Sequence, residues 1–271
     1  MKTDAKVVIL FSDIHVGSTT GLLKPGYVTH EGNEIALNDI QKWLWSCWKD
    51  CWSWAELVIN NDPWACIVNG DDVEGNHHKT KQIWSPDESD HMMAASEVLQ
   101  EVLRSASDVY LTEGTEAHTK NMEHGIAKIL KGQGINVRSP KGLGAWPELR
   151  LEVNGTVCAA DHHISTSMRS YLESSAYAIS MGDMRNRYAR ADQRVPKFFV
   201  RSHRHQYGHF DDGYGSLVVL PPWQASTRFV RKVVPGAIPQ CGLVIADWRT
   251  VETDAPPVIH RRLHTLHDQI G

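Results

Sequence analysis

Two short apolar runs, KVVILF (Lys6–Phe11) and WACIVNG (Trp64–Gly70), bracket a stretch whose apolar residues recur at helical spacing. Runs this short and rich in β-branched residues, each closed by polar turn residues, read as buried strands. Between them Ile35, Leu37, Ile40, Leu44, Cys47, Trp48, Cys51, Ala55 and Val58 predict a helix over Glu34–Val58. Strand, helix, strand in that order predicts a parallel pair, because parallel neighbours need a crossover rather than a tight turn. The chain is thereby constrained to an α/β core, with reactive groups expected at the carboxyl ends of its strands.

The pattern continues. Ser85-Pro86-Asp87-Glu88 predicts a helix start, with serine as N-cap, proline in the first turn and glutamate at the third position. That helix is expected to run to about Ser107 and to pass into the strand DVYLTEG. A shorter helix near Asn121–Lys131 precedes a strand, INVRS. ELRLEV and TVCAAD flank Asn154-Gly155, the signature of a two-residue hairpin turn. A helix over Ser167–Met181 leads to the strand KFFVRS, after which SLVVLPP, GLVIADW and PVIHRRLH are all strands. No linker, repeat or low-complexity tract interrupts this order, so a single domain over residues 1–271 is expected. The tryptophans at 43, 45, 48, 52 and 54 crowd the first helix and read as a wide packing face rather than a base-stacking surface.

Composition narrows the function. Acids outnumber bases 32 to 28, a net charge of −4, which excludes a general polyanion binder. The five cysteines (Cys47, Cys51, Cys66, Cys158, Cys241) lack paired zinc-ribbon spacing and read as reduced thiols in a cytoplasmic setting. The apolar part of MKTDAKVVILF is too short for a signal-peptide core, and no later run reaches membrane-spanning length. No membrane association is therefore expected. Fifteen histidines are the unusual count, and their placement is informative.

Metal-ligating side chains follow strand after strand. After KVVILF come Asp13 and His15; after WACIVNG comes Asp71; after DVYLTEG come Glu116 and His118. TVCAA is followed by Asp161, His162 and His163, and KFFVR by His203 and His205. A lone acid or histidine after a strand is usually a turn residue. Five strand ends in one register are not explained that way, and they predict a metal site. In extended chain, residues two apart face the same side, so Asp13 with His15, and His203 with His205, are each expected to converge through strand alternation.

This ordered set resembles the calcineurin-like metallophosphoesterase superfamily, whose blocks run D-x-H, GD, GN-H, H and GH-x-H. Here they stand as Asp13-Ile14-His15, Gly70-Asp71, Gly114 to His118, His162, and Ser202-His203-Arg204-His205. The resemblance spans Asp13 to His205 and implies an αββα sandwich of two mixed sheets flanked by helices. It also implies one ion on Asp13, His15, Asp71 and His205, and a second on Asp71, His162, His203 and a residue of the third block. A second candidate for that block, Gly75-Asn76-His77, comes only four residues after Asp71, too close for the helix and strand that should intervene. It reads as a decoy, with His77 and His78 as loop residues and Asp72 and Glu74 as loop-stabilising. The true third block departs from the pattern: Thr115 stands in the asparagine's place, and Thr115, Glu116 and His118 all stay open as the remaining ligand. His118 is the candidate catalytic histidine. Ser202 replaces the usual glycine.

The resemblance implies a dinuclear phosphoester hydrolase that uses a metal-bridging hydroxide, with His118 steadying or protonating the departing alkoxide. Mixed imidazole and carboxylate ligands suit two transition-metal ions, Mn²⁺ foremost, with Fe, Zn or Co as alternatives. Phosphodiesters are the expected substrates, DNA among them. Arg185, Arg187, Arg190, Arg194, Lys197, Arg201 and Arg204 face the single acid Asp192 and form a candidate phosphate-tracking lip, with Arg201 and Arg204 nearest the ligands. The compact five-block layout is similar to phage-encoded, repair-nuclease-like members. A phosphomonoesterase and a non-catalytic scaffold are the alternatives.

Overall fold

The computed structural model describes residues 1–76, 82–119, 122–164, 173–225 and 240–266. The first strand, β1 (Val7–Phe11), pairs in parallel with β2 (Trp64–Val68), and β2 pairs in parallel with β3 (Asp108–Leu111). Near the chain's end, β9 (Gln240–Asp247) runs antiparallel to β1, and β10 (Val258–Thr265) antiparallel to β9. The result is a five-stranded mixed sheet in the order β10-β9-β1-β2-β3.

A second five-stranded sheet has the order β4-β5-β6-β8-β7. Its members are β4 (Leu149–Val153), β5 (Thr156–Ala160), β6 (Phe198–Arg201), β7 (Gly208–Asp211) and β8 (Ser216–Val219). Here β5, β6 and β8 are parallel, while β4 and β7 run antiparallel on the edges. Asn154 and Gly155 both take positive φ, 48° and 81°, as the β4–β5 hairpin turn requires.

Alternation along the strands builds the layers. Val7, Ile9 and Phe11 face an outer core with α1 (Asp39–Ile59), α2 (Glu88–Leu103) and α4 (Met122–Gly132). Val8 and Leu10 face inward and meet Leu149, Leu151, Cys158, Phe198 and Val218 of the second sheet. That sheet's outer face, including Phe199 and Leu217, packs on Tyr177 and Met181 of α5 (Glu173–Arg190). Helices, sheet, sheet and helix therefore stack as the αββα sandwich the sequence led us to expect. Residues 167–172 of the helix predicted over Ser167–Met181 lie outside the described residues.

The tryptophans of α1 pack inward. Trp48 is 1% exposed, with ring centroids 5.3 Å from Phe11 and 4.8 Å from Trp223. Helix boundaries shift from those predicted. α1 starts later, behind an N-cap at Asn38 whose side chain accepts from the Gln41 amide, and Gln41 reciprocates. α2 is capped by Asp87 rather than Ser85, because the Asp87 side chain accepts from the Ser89 amide. Ser85 instead donates to Asp90. Among the described residues, no helix is long and apolar enough to cross a membrane.

Candidate metal centre

The carboxyl ends of β1, β2, β3, β5 and β6 lie at one edge of the sandwich, where the loops keep pairing after the strands stop. The Asp13 amide donates to the Gly70 carbonyl at 3.0 Å, and the His15 amide to the Asp71 carbonyl at 3.1 Å. Gly70 and Gly114 make this crossing possible. A Cβ on Gly70 (φ 78°) would sit 2.8 Å from both the Gly114 Cα and His162 Nδ1, and one on Gly114 would meet the Asp71 amide at 2.3 Å.

Strand alternation does not aim the ligands, contrary to expectation. Five of the six candidate ligands have left-handed backbone: Asp13 (φ 52°), His15 (42°), Asp71 (54°), His203 (69°) and His205 (53°). Asp and His are among the residue types that tolerate this region, yet each such residue costs on the order of 1–2 kcal/mol. The surrounding hydrogen bonds hold the strain at this edge.

Two groups of donor atoms result: Asp13, His15 and His205 form one, and Asp71, His162 and His203 the other. In the first, His15 Nε2 lies 3.2 Å from His205 Nε2 and 3.8 Å from Asp13 Oδ1, while His205 Nε2 lies 3.3 Å from Asp13 Oδ1. In the second, His162 Nε2 lies 3.1 Å from Asp71 Oδ2. Ligand atoms bound at about 2.1 Å to one ion stand roughly 3.0–3.4 Å apart in octahedral or tetrahedral arrangement, so the spacings of 3.1, 3.2 and 3.3 Å suit coordination, while the 3.8 Å between His15 and Asp13 is wider than that. Asp71 Oδ2 is also 3.8 Å from His15 Nε2 and joins the two groups. Asp13 Oδ1 and His162 Nε2 are buried and make no well-aligned hydrogen bond, their polar neighbours being other donors of the cluster. Imidazole and carboxylate donors with unspent lone pairs fit divalent transition metals.

Electrostatics fits the same use. Burial alone would raise the Asp13 carboxyl, but His162, His15 and His205 outweigh it and hold it well below the usual carboxylate range. For Asp71, too, burial opposes and His162 and His15 prevail, lowering the carboxyl. Burial disfavours the His162 imidazolium, yet Asp71 and Asp13 push it up to about 9. These shifts are what opposite charges held close together produce, and a bound cation would compete with the His162 proton.

Second partners orient the rings. His162 Nδ1 lies 2.7 Å from the Asn69 carbonyl, which fixes a proton there and leaves Nε2 for the cluster. His15 Nδ1 lies 3.0 Å from Glu74 Oε2, and that oxygen also accepts from Gln224 Nε2 at 2.8 Å. Glu74 is buried, and its carboxylate meets the candidate ligand His15 as well as Gln224, a contact not expected from the sequence. Asp72 is buried with neither carboxyl oxygen hydrogen-bonded, so it does not stabilise the loop by that means. Burial, Glu123 and Asp71 raise it well above the usual range.

The third block resolves into distinct roles. The Thr115 amide donates to Asp71 Oδ1 at 2.6 Å, its hydroxyl to Asp71 Oδ2 at 3.2 Å, and that hydroxyl is 3.1 Å from His203 Nδ1. Glu116 opens the one-turn helix α3 (Glu116–Thr119) and is exposed. His118 is half-buried on the same turn, its ring 5.0 Å from that of His15 and grouped with His15 and Glu74. Thr115 thus stands beside the second group, and His118 beside the first. His77 and His78 lie outside the described residues.

The candidate substrate-binding residues part company. Arg201 is 4% exposed and donates to the carbonyls of Ala159 (3.0 Å) and Val200 (2.7 Å). It shares the outer face of β6 with Phe199 and reaches Met184 of α5, so its guanidinium is engaged within the fold rather than free at the surface. Arg204 is half-buried between His203 and His205. The rest of the basic run is largely paired with acids: Arg185 with Asp212, Arg187 with Asp183, Arg194 with Glu152 and Asp254, and Lys197 with Asp254.

No family model matches the chain, and no curated protein matches it. Among solved structures, an archaeal phosphodiesterase aligns over 96% of this chain and 99% of its own, at 10% identity and a TM-score of 0.45. Zinc-bound Vps29 from Entamoeba histolytica aligns over 96% and 98% at 10% identity, with a TM-score of 0.40. A conserved predicted phosphoesterase from Streptococcus pneumoniae covers 96% and 98% at 10% identity and a TM-score of 0.38.

Proposed function

We propose that this chain is a dinuclear metal-dependent phosphoester hydrolase of the calcineurin-like metallophosphoesterase type, acting on phosphodiesters. The supporting observation is the convergence of Asp13, His15, Asp71, His162, His203 and His205 from four separate strand ends, with the donor atoms of each group within 4.8 Å of one another. Asp13, His15 and His205 would hold one ion and His162 and His203 the other, with Asp71 shared. Two such ions supply acidified water and neutralise phosphoryl charge. Glu74 fixes the His15 ring, and the Asn69 carbonyl fixes the His162 ring. His118, half-buried beside His15, is the group placed to give a proton to a departing alkoxide. Arg204, in the turn that carries both β6 histidines, supplies positive charge for a nonbridging oxygen.

The preference for diesters rests on charge. A monoester brings a second negative charge that a further cation would have to meet, and Arg201 is spent on carbonyls. DNA draws less support than the sequence promises, because most of the basic run is neutralised by Glu152, Asp183, Asp212 and Asp254. An assay panel with Mn²⁺ supplied tests the reading. The expected result is hydrolysis of a bis-aryl phosphodiester exceeding that of an aryl monophosphate, with single- and double-stranded DNA as further arms. A monoester preference would move the protein to the phosphatase class. Inactivity on every ester despite bound metal would favour a scaffold.

A further inference from the structure

Asn69 is the last residue before Gly70-Asp71, and it makes hydrogen bonds in both sheets while being fully buried. Within the first sheet its amide donates to the Phe11 carbonyl at 2.8 Å, and its side-chain oxygen accepts from the Thr112 hydroxyl at 3.0 Å. Toward the second sheet its side-chain nitrogen donates to the Asp161 carbonyl at 3.1 Å and to Ser202 Oγ at 2.6 Å. Its own carbonyl receives His162 Nδ1 at 2.7 Å.

Those two acceptors sit immediately before candidate ligands: Asp161 precedes His162, and Ser202 precedes His203. The first donor group is carried mainly by the β1 loop of the first sheet, and the second mainly by loops of the other sheet. A single buried carboxamide thus ties the carrier of Asp71 to the carriers of His162 and His203. Ser202 also acquires a purpose. Glycine in its place would leave one Asn69 N–H without an acceptor in a site closed to water, and an unmet buried donor is costly.

We infer that Asn69 is a positioning residue that registers the two sheets at the centre, and that the ion on His162 and His203 depends on it while the ion on Asp13, His15 and His205 depends on it less. This inference rests on the two-ion reading above. Residues that orient metal ligands without touching the metal commonly govern affinity by about 10–100-fold.

The test is calorimetric titration of the metal-free full chain with Mn²⁺, for wild type, Asn69→Ser and Ser202→Ala, with melting temperatures measured alongside. Wild type should take two ions. Asn69→Ser should keep one near wild-type affinity and weaken the other by at least about tenfold. Ser202→Ala removes one tie and should weaken the same step by a smaller factor. If Asn69→Ser does not fold, the stepwise loss in Ser202→Ala decides. Two unchanged steps in the folded variants, or equal weakening of both, would overturn the role of Asn69. A wild-type chain that takes one ion or none would instead overturn the two-ion reading, and this inference with it.

Discussion

Replacing Glu74 by Gln changes a single oxygen to an amide group beside His15. The wild-type carboxylate lies 3.0 Å from His15 Nδ1 and is buried, with Gln224 as its second partner. A carboxylate at that distance favours the proton on Nδ1 by charge, which leaves Nε2 facing Asp13 and His205. A carboxamide is a weaker acceptor, and in its flipped orientation it presents N–H to N–H. Loss of such a partner costs metal affinity by about 10–100-fold, or roughly 1.4–2.8 kcal/mol. Manganese titration by calorimetry should show that loss in the step belonging to Asp13, His15 and His205. Glu74→Asp, which keeps the charge but shortens the reach, should fall between. Unchanged affinity in folded Glu74→Gln would refute the claim that this carboxylate sets the ring.

Asp71→Asn should reduce bound metal to at most one ion and abolish diester hydrolysis, as read by elemental analysis and the bis-aryl assay, because Asp71 Oδ2 reaches donors of both groups. The His162 imidazole, pushed up to about 9 by burial-opposed attraction to Asp71 and Asp13, makes the metal-free fold pH-sensitive. Its folded value lies above the unfolded value near 6.5, so the stabilisation is full below about pH 6.5 and is lost as pH rises through about 9, on the order of 3 kcal/mol. Melting temperatures of the metal-free chain should fall across that window. Metal affinity should change the other way, rising with pH to about 9 as the competing proton leaves.

Much of the fold was legible because its central strands are continuous apolar runs, buried on both faces, as in Val7–Phe11 and Trp64–Val68. β7 was missed: GHFD is half exposed and too short to show a period. INVRS, expected as a strand, forms only an isolated bridge between Val137 and Val109. The six candidate ligands were legible as residue types at strand ends. Their left-handed backbone was not, since nothing in Asp-Ile-His distinguishes a turn from an extended chain. Glu74 and Asn69 act through partners 59 and 133 positions away, His15 and Ser202, and only the fold brings these together. Arg201 was readable in principle: two residues after Phe199 on one strand, it had to share that residue's helix-covered face.

The most direct measurement is anomalous diffraction from crystals grown with Mn²⁺, collected above the manganese edge. The structure leads us to expect two peaks at the strand ends, one among Asp13, His15 and His205 and one between His162 and His203, with Asp71 touching both. Thr115 should lie beside the second peak and His118 beside the first. No peak at this edge, or manganese only elsewhere, such as beside Asp50 and His264, would contradict the account.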